Sequence, residues 1–227
     1  MIKSVVFDLD GTLIDSTEAI VESFMHTFDV LEQPRPPRDA VVKSIGFTLE
    51  QQFEKFTKTD PNECALIYRA YYDTVCREKT FLLPGAEESL RQFSEAGLTI
   101  GFASSKQRRF CEVILNHLGV LEYFTTRLGP DDITHPKPHP EAVLRSAEML
   151  GVTSRELYFI GDTNFDVLAA RAAGTRCLCV TTGYNTREEL VALGPEAVFD
   201  SLNELTQYAL AHLASPGPAA ARCGSPE

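Results

Sequence analysis

The apolar positions along the chain follow two rhythms, and the change from one to the other divides it. Val5, Val6 and Phe7 make a short unbroken apolar run, the pattern of a strand buried on both faces of a parallel sheet. Similar runs return at 98–103, 157–160 and 177–181, with weaker ones at 123–128 and 197–199. Between them, apolar residues at helical spacing predict helices over 86–96, 108–118, 140–150, 165–173, 188–193 and 202–213. Gly119, Gly151 and Gly174 stop three of these. Strand alternating with helix predicts an α/β fold, a Rossmann-like parallel sheet with helices on both faces.

The rhythm differs between the first strand and the helix at 86–96. Asp15-Ser16-Thr17 offers an N-cap, and a helix runs from Glu18 to about Phe28 before Pro34-Arg35-Pro36-Pro37 forbids more. Helical spacing resumes over 39–45, 49–56 and 63–78, with no strand pattern between. Roughly 65 residues of helix exceed what a simple crossover needs. The expectation is an inserted all-helical cap domain over 16–83, with junctions near Asp15 and Pro84, and a core of 1–15 and 84–213. Phe47, Phe53, Phe56, Tyr71 and Tyr72 are expected mostly in the core of that insertion, and those facing the main domain become candidates to touch a substrate. Residues 214–227, rich in Ala, Pro, Gly and Ser, are expected to be a disordered tail.

Composition narrows the possible roles. The 227 residues are 44% hydrophobic and 23% charged, enough for a sizeable core plus a smaller unit. Thirty-two acidic against 21 basic residues give a net charge of −11, which argues against nucleic acid or an anionic membrane as partner. A small anionic substrate stays compatible, because a local lysine and a bound cation can invert the field inside a cleft. No stretch approaches the ~20 apolar residues of a membrane span, and the start lacks a signal-peptide pattern. The six cysteines contain no C-x-x-C pair, and Cys177 and Cys179, on one strand face, read as buried small hydrophobes. A cytoplasmic protein with reduced thiols is expected.

The candidate chemistry lies where the strands end, since ligands of such sheets bind outside the carboxyl ends. Strand one runs into Asp8-Leu9-Asp10-Gly11-Thr12. Alternation would put Asp8 and Asp10 on one face with Leu9 turned into the core. Paired carboxylates there suggest a metal or a shared proton, while turn chemistry explains the same residues without either. The second long strand ends on Ser104-Ser105-Lys106, whose serines could equally cap the next helix. Lys137 sits in His135-Pro136-Lys137-Pro138-His139-Pro140, its backbone fixed by a proline on each side. The strand at 157–160 is followed by Gly161-Asp162-Thr163-Asn164-Phe165-Asp166, whose two acids are one helical turn apart and could also serve the helix start. Taken together, carboxylates without a basic neighbour predict a magnesium-type oxygen site. Lys137 with hydroxyls and backbone amides predicts a phosphate cradle.

In this order, Asp8-x-Asp10-Gly11-Thr12, Ser104, Lys137 and Gly161-Asp162-x-x-x-Asp166 resemble the four motifs of the haloacid dehalogenase superfamily, over residues 1 to about 213. The helical insertion after strand one, with Leu9-Asp10-Gly11-Thr12-Leu13-Ile14-Asp15-Ser16 and Gly161-Asp162-Thr163, is similar to the phosphoglycolate phosphatase-like branch. The resemblance implies a Mg²⁺-dependent phosphatase acting on a small phosphorylated metabolite through an aspartyl-phosphate, with phosphoglycolate the substrate that the branch suggests. Asp8 would be nucleophile and Asp10 the acid, then base. Mg²⁺ would be held by Asp8, the backbone carbonyl of Asp10 and Asp162, with Asp166 ligating directly or through water. Ser104 and Lys137, with amides near Gly11, Thr12 and Ser105, would hold the phosphate oxygens. Asp10 argues against the dehalogenases. A phosphonatase needs a lysine from the cap, for which Lys43, Lys55, Lys58 and Lys79 stay open. A β-phosphoglucomutase-like mutase keeps both aspartates, and Ala103-Ser104-Ser105 resembles it somewhat. A non-enzymatic aspartyl phospho-acceptor is the reading from another class. Monomer and homodimer are both compatible.

Overall fold

The computed structural model describes residues 1–214, so the expected disordered tail lies, apart from Ala214, outside the described residues. Its centre is β1 (Ser4–Phe7), and the reason is apolar content on both sides: Val5 and Phe7 enter one apolar cluster, Val6 the other. β1 pairs in parallel with β4 (Thr99–Ala103) and β6 (Leu157–Gly161). β5 (Phe124–Leu128) extends the sheet beyond β4, and β7 (Arg176–Val180) then β8 (Ala197–Phe199) extend it beyond β6, giving six parallel strands. The alternation holds along the inner strands: Tyr158 and Ile160 face the first cluster, Leu157 and Phe159 the second.

Each face is covered by helices whose apolar stripes meet it. α5 (Ala86–Glu95), α6 (Arg108–His117) and α10 (Leu202–Ala211) supply Leu90, Phe93, Phe110, Ile114 and Leu205 to the first cluster. α7 (Glu141–Met149), α8 (Asn164–Ala173) and α9 (Arg187–Ala192) supply Val143, Ala147, Val167, Ala170 and Leu190 to the second. The α/β expectation thus stands.

Helices α1 (Thr17–Val30), α2 (Arg38–Val42), α3 (Leu49–Glu54) and α4 (Pro61–Val75) follow one another between the first and second strands of the large sheet. Two further strands flank them, β2 (Ile14–Asp15) and β3 (Phe81–Leu82), paired antiparallel. The hydropathy pattern missed this ribbon, because two residues show no period. Phe24 and Phe53 stack with ring centroids 4.4 Å apart and Tyr68 meets Phe24 edge-on, so the insertion has an aromatic interior. That interior is continuous with the sheet: Phe24, Phe53, Tyr68 and Tyr72 share one cluster with Val5 and Phe7. Tyr72 meets Phe110 edge-on at 5.1 Å and Phe47 meets Phe165 at 4.5 Å, so both rings bridge to the main sheet's helices. Tyr71 departs from the expected core role. It is half-buried, stacks on His26 at 4.0 Å and donates to Glu22.

Two capping expectations also change. Ser16 occupies the N-cap of α1, but its hydroxyl caps nothing there and donates instead to Asp10. Neither Ser104 nor Ser105 caps α6; Asp131 accepts from the Arg108 amide at 3.1 Å. Cys64, Cys76, Cys111, Cys177 and Cys179 are free and buried, the last two with sulfurs 3.9 Å apart on one strand face. Among the described residues no helix is long and apolar enough to cross a membrane.

Candidate active site

The chain leaves β1 toward β4 and β5 on one side, then returns to β6, β7 and β8 on the other. A crevice opens where that order reverses, at the carboxyl ends of β1, β4 and β6. Asp8 follows β1 at once and is buried, as are Asp162 and Asp166 after β6. Their carboxylate oxygens all lie within 4.8 Å of one another. Lys137 closes the group, with Nζ 3.0 Å from Asp8 Oδ2 and 2.7 Å from Asp166 Oδ1, and it also donates to the Ala103 carbonyl at 3.3 Å. The expectation of acids without a basic neighbour is therefore corrected. Lys137 is distant in sequence, so proximity along the chain could not show the pair.

Each acid is held by specific donors. The Leu9 amide donates to Asp8 Oδ1 at 2.7 Å. Thr12 turns its hydroxyl to Asp162 Oδ1 at 2.7 Å, and the Tyr184 amide reaches Asp162 Oδ2 at 3.0 Å. Thr12, expected at a phosphate, thus commits its side chain to a carboxylate. Asp166 Oδ2 accepts from the amide and hydroxyl of Thr163, closing the capping box of α8. Asp166 serves the helix start and Lys137 together, and both its oxygens are engaged. Gly11 has φ of +82°, and a Cβ there would stand 2.5 Å from Asp162 Oδ2, so the position admits glycine on two grounds. Gly183 is excluded from growth more severely, since a Cβ would run into the Asp162 carboxylate.

Asp10 does not share this cluster. It lies beyond the end of β1, where strand alternation no longer rules. Its Oδ1 accepts from Lys106 Nζ at 2.6 Å and from the Ser16 hydroxyl, while Lys106 reaches Ser16 at 3.1 Å. Lys106 is buried beside Asp10, with its amine 5.3 Å from the centre of the Tyr72 ring. In the sequence Lys106 stands at the strand end with no role assigned to it. The usable signal was a basic residue after two serines at a strand's carboxyl end. Ser104 is buried and its hydroxyl accepts from the Lys106 amide at 3.2 Å. Ser105 donates its hydroxyl to the Gly46 carbonyl at 2.8 Å, tying β4's end to the helical insertion.

Burial pushes the Asp8 carboxyl up from 3.8 to about 7, against the opposing pull of Lys137. Burial, then the Asp166 and Asp8 charges, drives Asp162 well up from its ordinary value. Three buried carboxylates facing one ammonium thus carry unmet negative charge, and their donors are oxygens only. That set fits a hard divalent cation.

Asp10 and Lys106 also line a cleft between the insertion and the sheet. Its walls are mostly apolar, including Ile20, Ile45, Leu49, Tyr68, Tyr72 and Phe110, with Arg69 and Glu50 as an ion pair on the insertion side. Lys43, Lys55, Lys58 and Lys79 are not among the lining residues. Changing Lys106 to Met should leave a buried carboxylate without its counter-charge and cost about 3–5 kcal/mol, read as a lowered urea midpoint.

Residues 5–180 match the family described as haloacid dehalogenase-like hydrolase. A phosphoglycolate phosphatase from Salmonella paratyphi A is 31% identical over 90% of this chain and 91% of its own length. A protein named "Probable phosphatase IndB" from Dickeya dadantii is 34% identical over 92% of this chain and 94% of its own. The solved structure of a haloacid dehalogenase-like family hydrolase from Streptococcus pneumoniae superposes with a TM-score of 0.82 at 27% identity, covering 91% of this chain and 98% of that one. These matches set aside the reading as a non-enzymatic acceptor. The chain belongs to the haloacid dehalogenase-like hydrolase family and is a phosphatase of its phosphoglycolate phosphatase-like branch.

Proposed function

We propose that the protein hydrolyses the phosphate ester of a small metabolite, with Asp8 as nucleophile and Asp10 as the acid and base on the leaving-group side. The observation that carries this reading is the division of the two aspartates, Asp8 within the buried carboxylate–lysine cluster and Asp10 in the wall of the cleft. Asp8 attacks phosphorus and takes the phosphoryl group as an acyl phosphate while the ester oxygen leaves toward Asp10. Asp10 in its protonated form gives that oxygen a proton, and the carboxylate so left, held by Lys106 and Ser16, then takes one from the water that cleaves the acyl phosphate. Asp8 and Asp162, with the Asp10 backbone carbonyl, would hold Mg²⁺, and Asp166, whose oxygens are engaged by Lys137 and Thr163, would act from its outer sphere. The ion supplies positive charge that offsets the phosphoryl oxygens. Lys137 offsets the same charge, and Ser104 with the Ser105 amide orients the oxygens, since the Gly11 and Thr12 amides are already given to the Ile14 carbonyl at 2.8 Å and the Leu9 carbonyl at 3.1 Å.

Helices α1–α4 act in this reading as a cap, because the cleft is walled by them and by the ends of the sheet together. They exclude bulk water from Asp10 and contact the leaving group. The test is phosphate release from p-nitrophenyl phosphate and a panel of phosphorylated metabolites including phosphoglycolate and glucose 1-phosphate, with and without Mg²⁺. Multiple turnovers that need Mg²⁺ are expected; transfer of the phosphate within a sugar instead of to water would overturn the hydrolase assignment.

The cluster also makes stability depend on pH. Asp8 binds its proton more tightly folded than unfolded, so in metal-free protein its contribution is favourable at low pH and is lost as pH rises from about 4 to about 7. Mg²⁺ favours the ionised carboxylates and competes with protons. Thermal melting in EDTA and in Mg²⁺ should show a larger stabilisation by the ion at pH about 7.5 than at pH about 5.5.

A further inference from the structure

The loop that carries Lys137 holds three side chains that the phosphatase reading leaves unused. His135 and His139 flank the lysine, and Glu141 opens α7 just beyond. His135 Nδ1 lies 2.8 Å from Glu141 Oε2, and His139 Nδ1 lies 4.0 Å from the same oxygen. One ligand atom from each residue falls within 4.8 Å of the other two. We propose that His135, His139 and Glu141 form a second metal site, separate from the carboxylate cluster, which takes one Zn²⁺-class ion through two imidazole nitrogens and a carboxylate oxygen.

The distances suit that ion. With zinc bonds of about 2.0–2.2 Å to nitrogen and oxygen, neighbouring atoms of a tetrahedral set stand about 3.4 Å apart. The two separations from Glu141 Oε2, 2.8 and 4.0 Å, bracket this value, and rotation of exposed rings can equalise them. The chemistry of the donors selects the metal: imidazole nitrogen favours zinc and its neighbours, whereas magnesium prefers oxygen alone. His139 Nδ1 accepts from the Glu141 amide at 3.3 Å, a long contact that ligation through Nδ1 would replace.

Preorganisation separates the group from a chance meeting of mobile side chains. Glu141 accepts from the Thr134 amide at 2.7 Å and the His135 amide at 2.9 Å, which fixes its carboxylate and, with the His135 ring, holds it ionised. Pro136, Pro138 and Pro140 restrict the backbone between the ligands. Lys137 anchors the middle of the loop to Asp8, Asp166 and the Ala103 carbonyl. The backbone between the ligands therefore has little freedom for an ion to remove, and only the rings need turn. The imidazole side chains are 61% and 50% exposed, so the site is reachable and keeps a position open to water. A bound ion would clasp the loop on both sides of Lys137.

A surface ion pair between protonated His135 and Glu141 would use the same contacts without a metal, and titration separates the two. Zn²⁺ is titrated calorimetrically into the full chain in millimolar Mg²⁺, which keeps the carboxylate cluster filled, beside a variant carrying His135→Gln and His139→Gln. The wild type should take up one equivalent that the variant lacks. In wild type, that equivalent should move the ring NMR signals of His135 and His139 and leave those of His26, His117 and His212 in place. Equal uptake by both proteins, no uptake by either, or unmoved His135 and His139 signals would overturn the proposal. The NMR arm needs no variant, so the result does not depend on how the doubly substituted chain folds.

Discussion

Asp8→Asn should abolish turnover, by about 10⁴-fold or to background, and leave the protein folded with an unchanged or higher melting temperature in metal-free buffer. The two halves of that expectation have one origin. Asparagine keeps the shape of the side chain, its one amide oxygen can still accept from the Leu9 amide, and Lys137 keeps Asp166 as its counter-charge. It removes a carboxylate whose ionised form burial disfavours, and with it the atom that attacks phosphorus. Steady-state phosphate release and a thermal melt check both. Retention of most of the activity would remove Asp8 from the nucleophile's role.

Lys137→Met should fail in a different way. It leaves Asp8, Asp162 and Asp166 buried together with no ammonium, and losing one partner of such a group costs about 3–5 kcal/mol. Millimolar Mg²⁺ should return part of that stability, since a cation at the carboxylates replaces the missing charge. It should not return activity, which should stay about 10³-fold low, because the lysine also answers the charge on the transferring phosphoryl group. Urea unfolding with and without Mg²⁺, set beside turnover, separates the two effects. If Mg²⁺ restored neither stability nor rate, the cluster would not be the cation site proposed.

The sheet was legible because its strands are long enough to show a period and buried enough to read as apolar runs, as Val5–Phe7 and residues 157–160 do. Asp8 and Asp162 were legible because each follows such a run directly. What stayed hidden depends on contacts between distant segments. Lys137 meets Asp8 and Asp166 only once β1, β5 and β6 are placed, and Lys106 finds Asp10 only after β4 lies beside β1. Ser16 and Thr12 looked like a cap and a phosphate ligand from local sequence alone, yet tertiary neighbours claim both hydroxyls. The β2–β3 ribbon escaped because pairing, and not composition, defines it.

The surroundings of Asp10 have a consequence for anyone who would simplify the protein. Its two side-chain partners come from opposite banks of the molecule, Ser16 at the first turn of α1 and Lys106 just past β4. Excising the four helices and sealing the gap would therefore not yield a smaller, less choosy catalyst. It would strip one donor from the carboxylate, expose the lysine to water and bare the aromatic flank that Tyr72 now covers. If the helices act as the proposed cap, selectivity and reactivity share these side chains, and new substrate preferences should come from repainting the helices' inner wall and not from trimming them away.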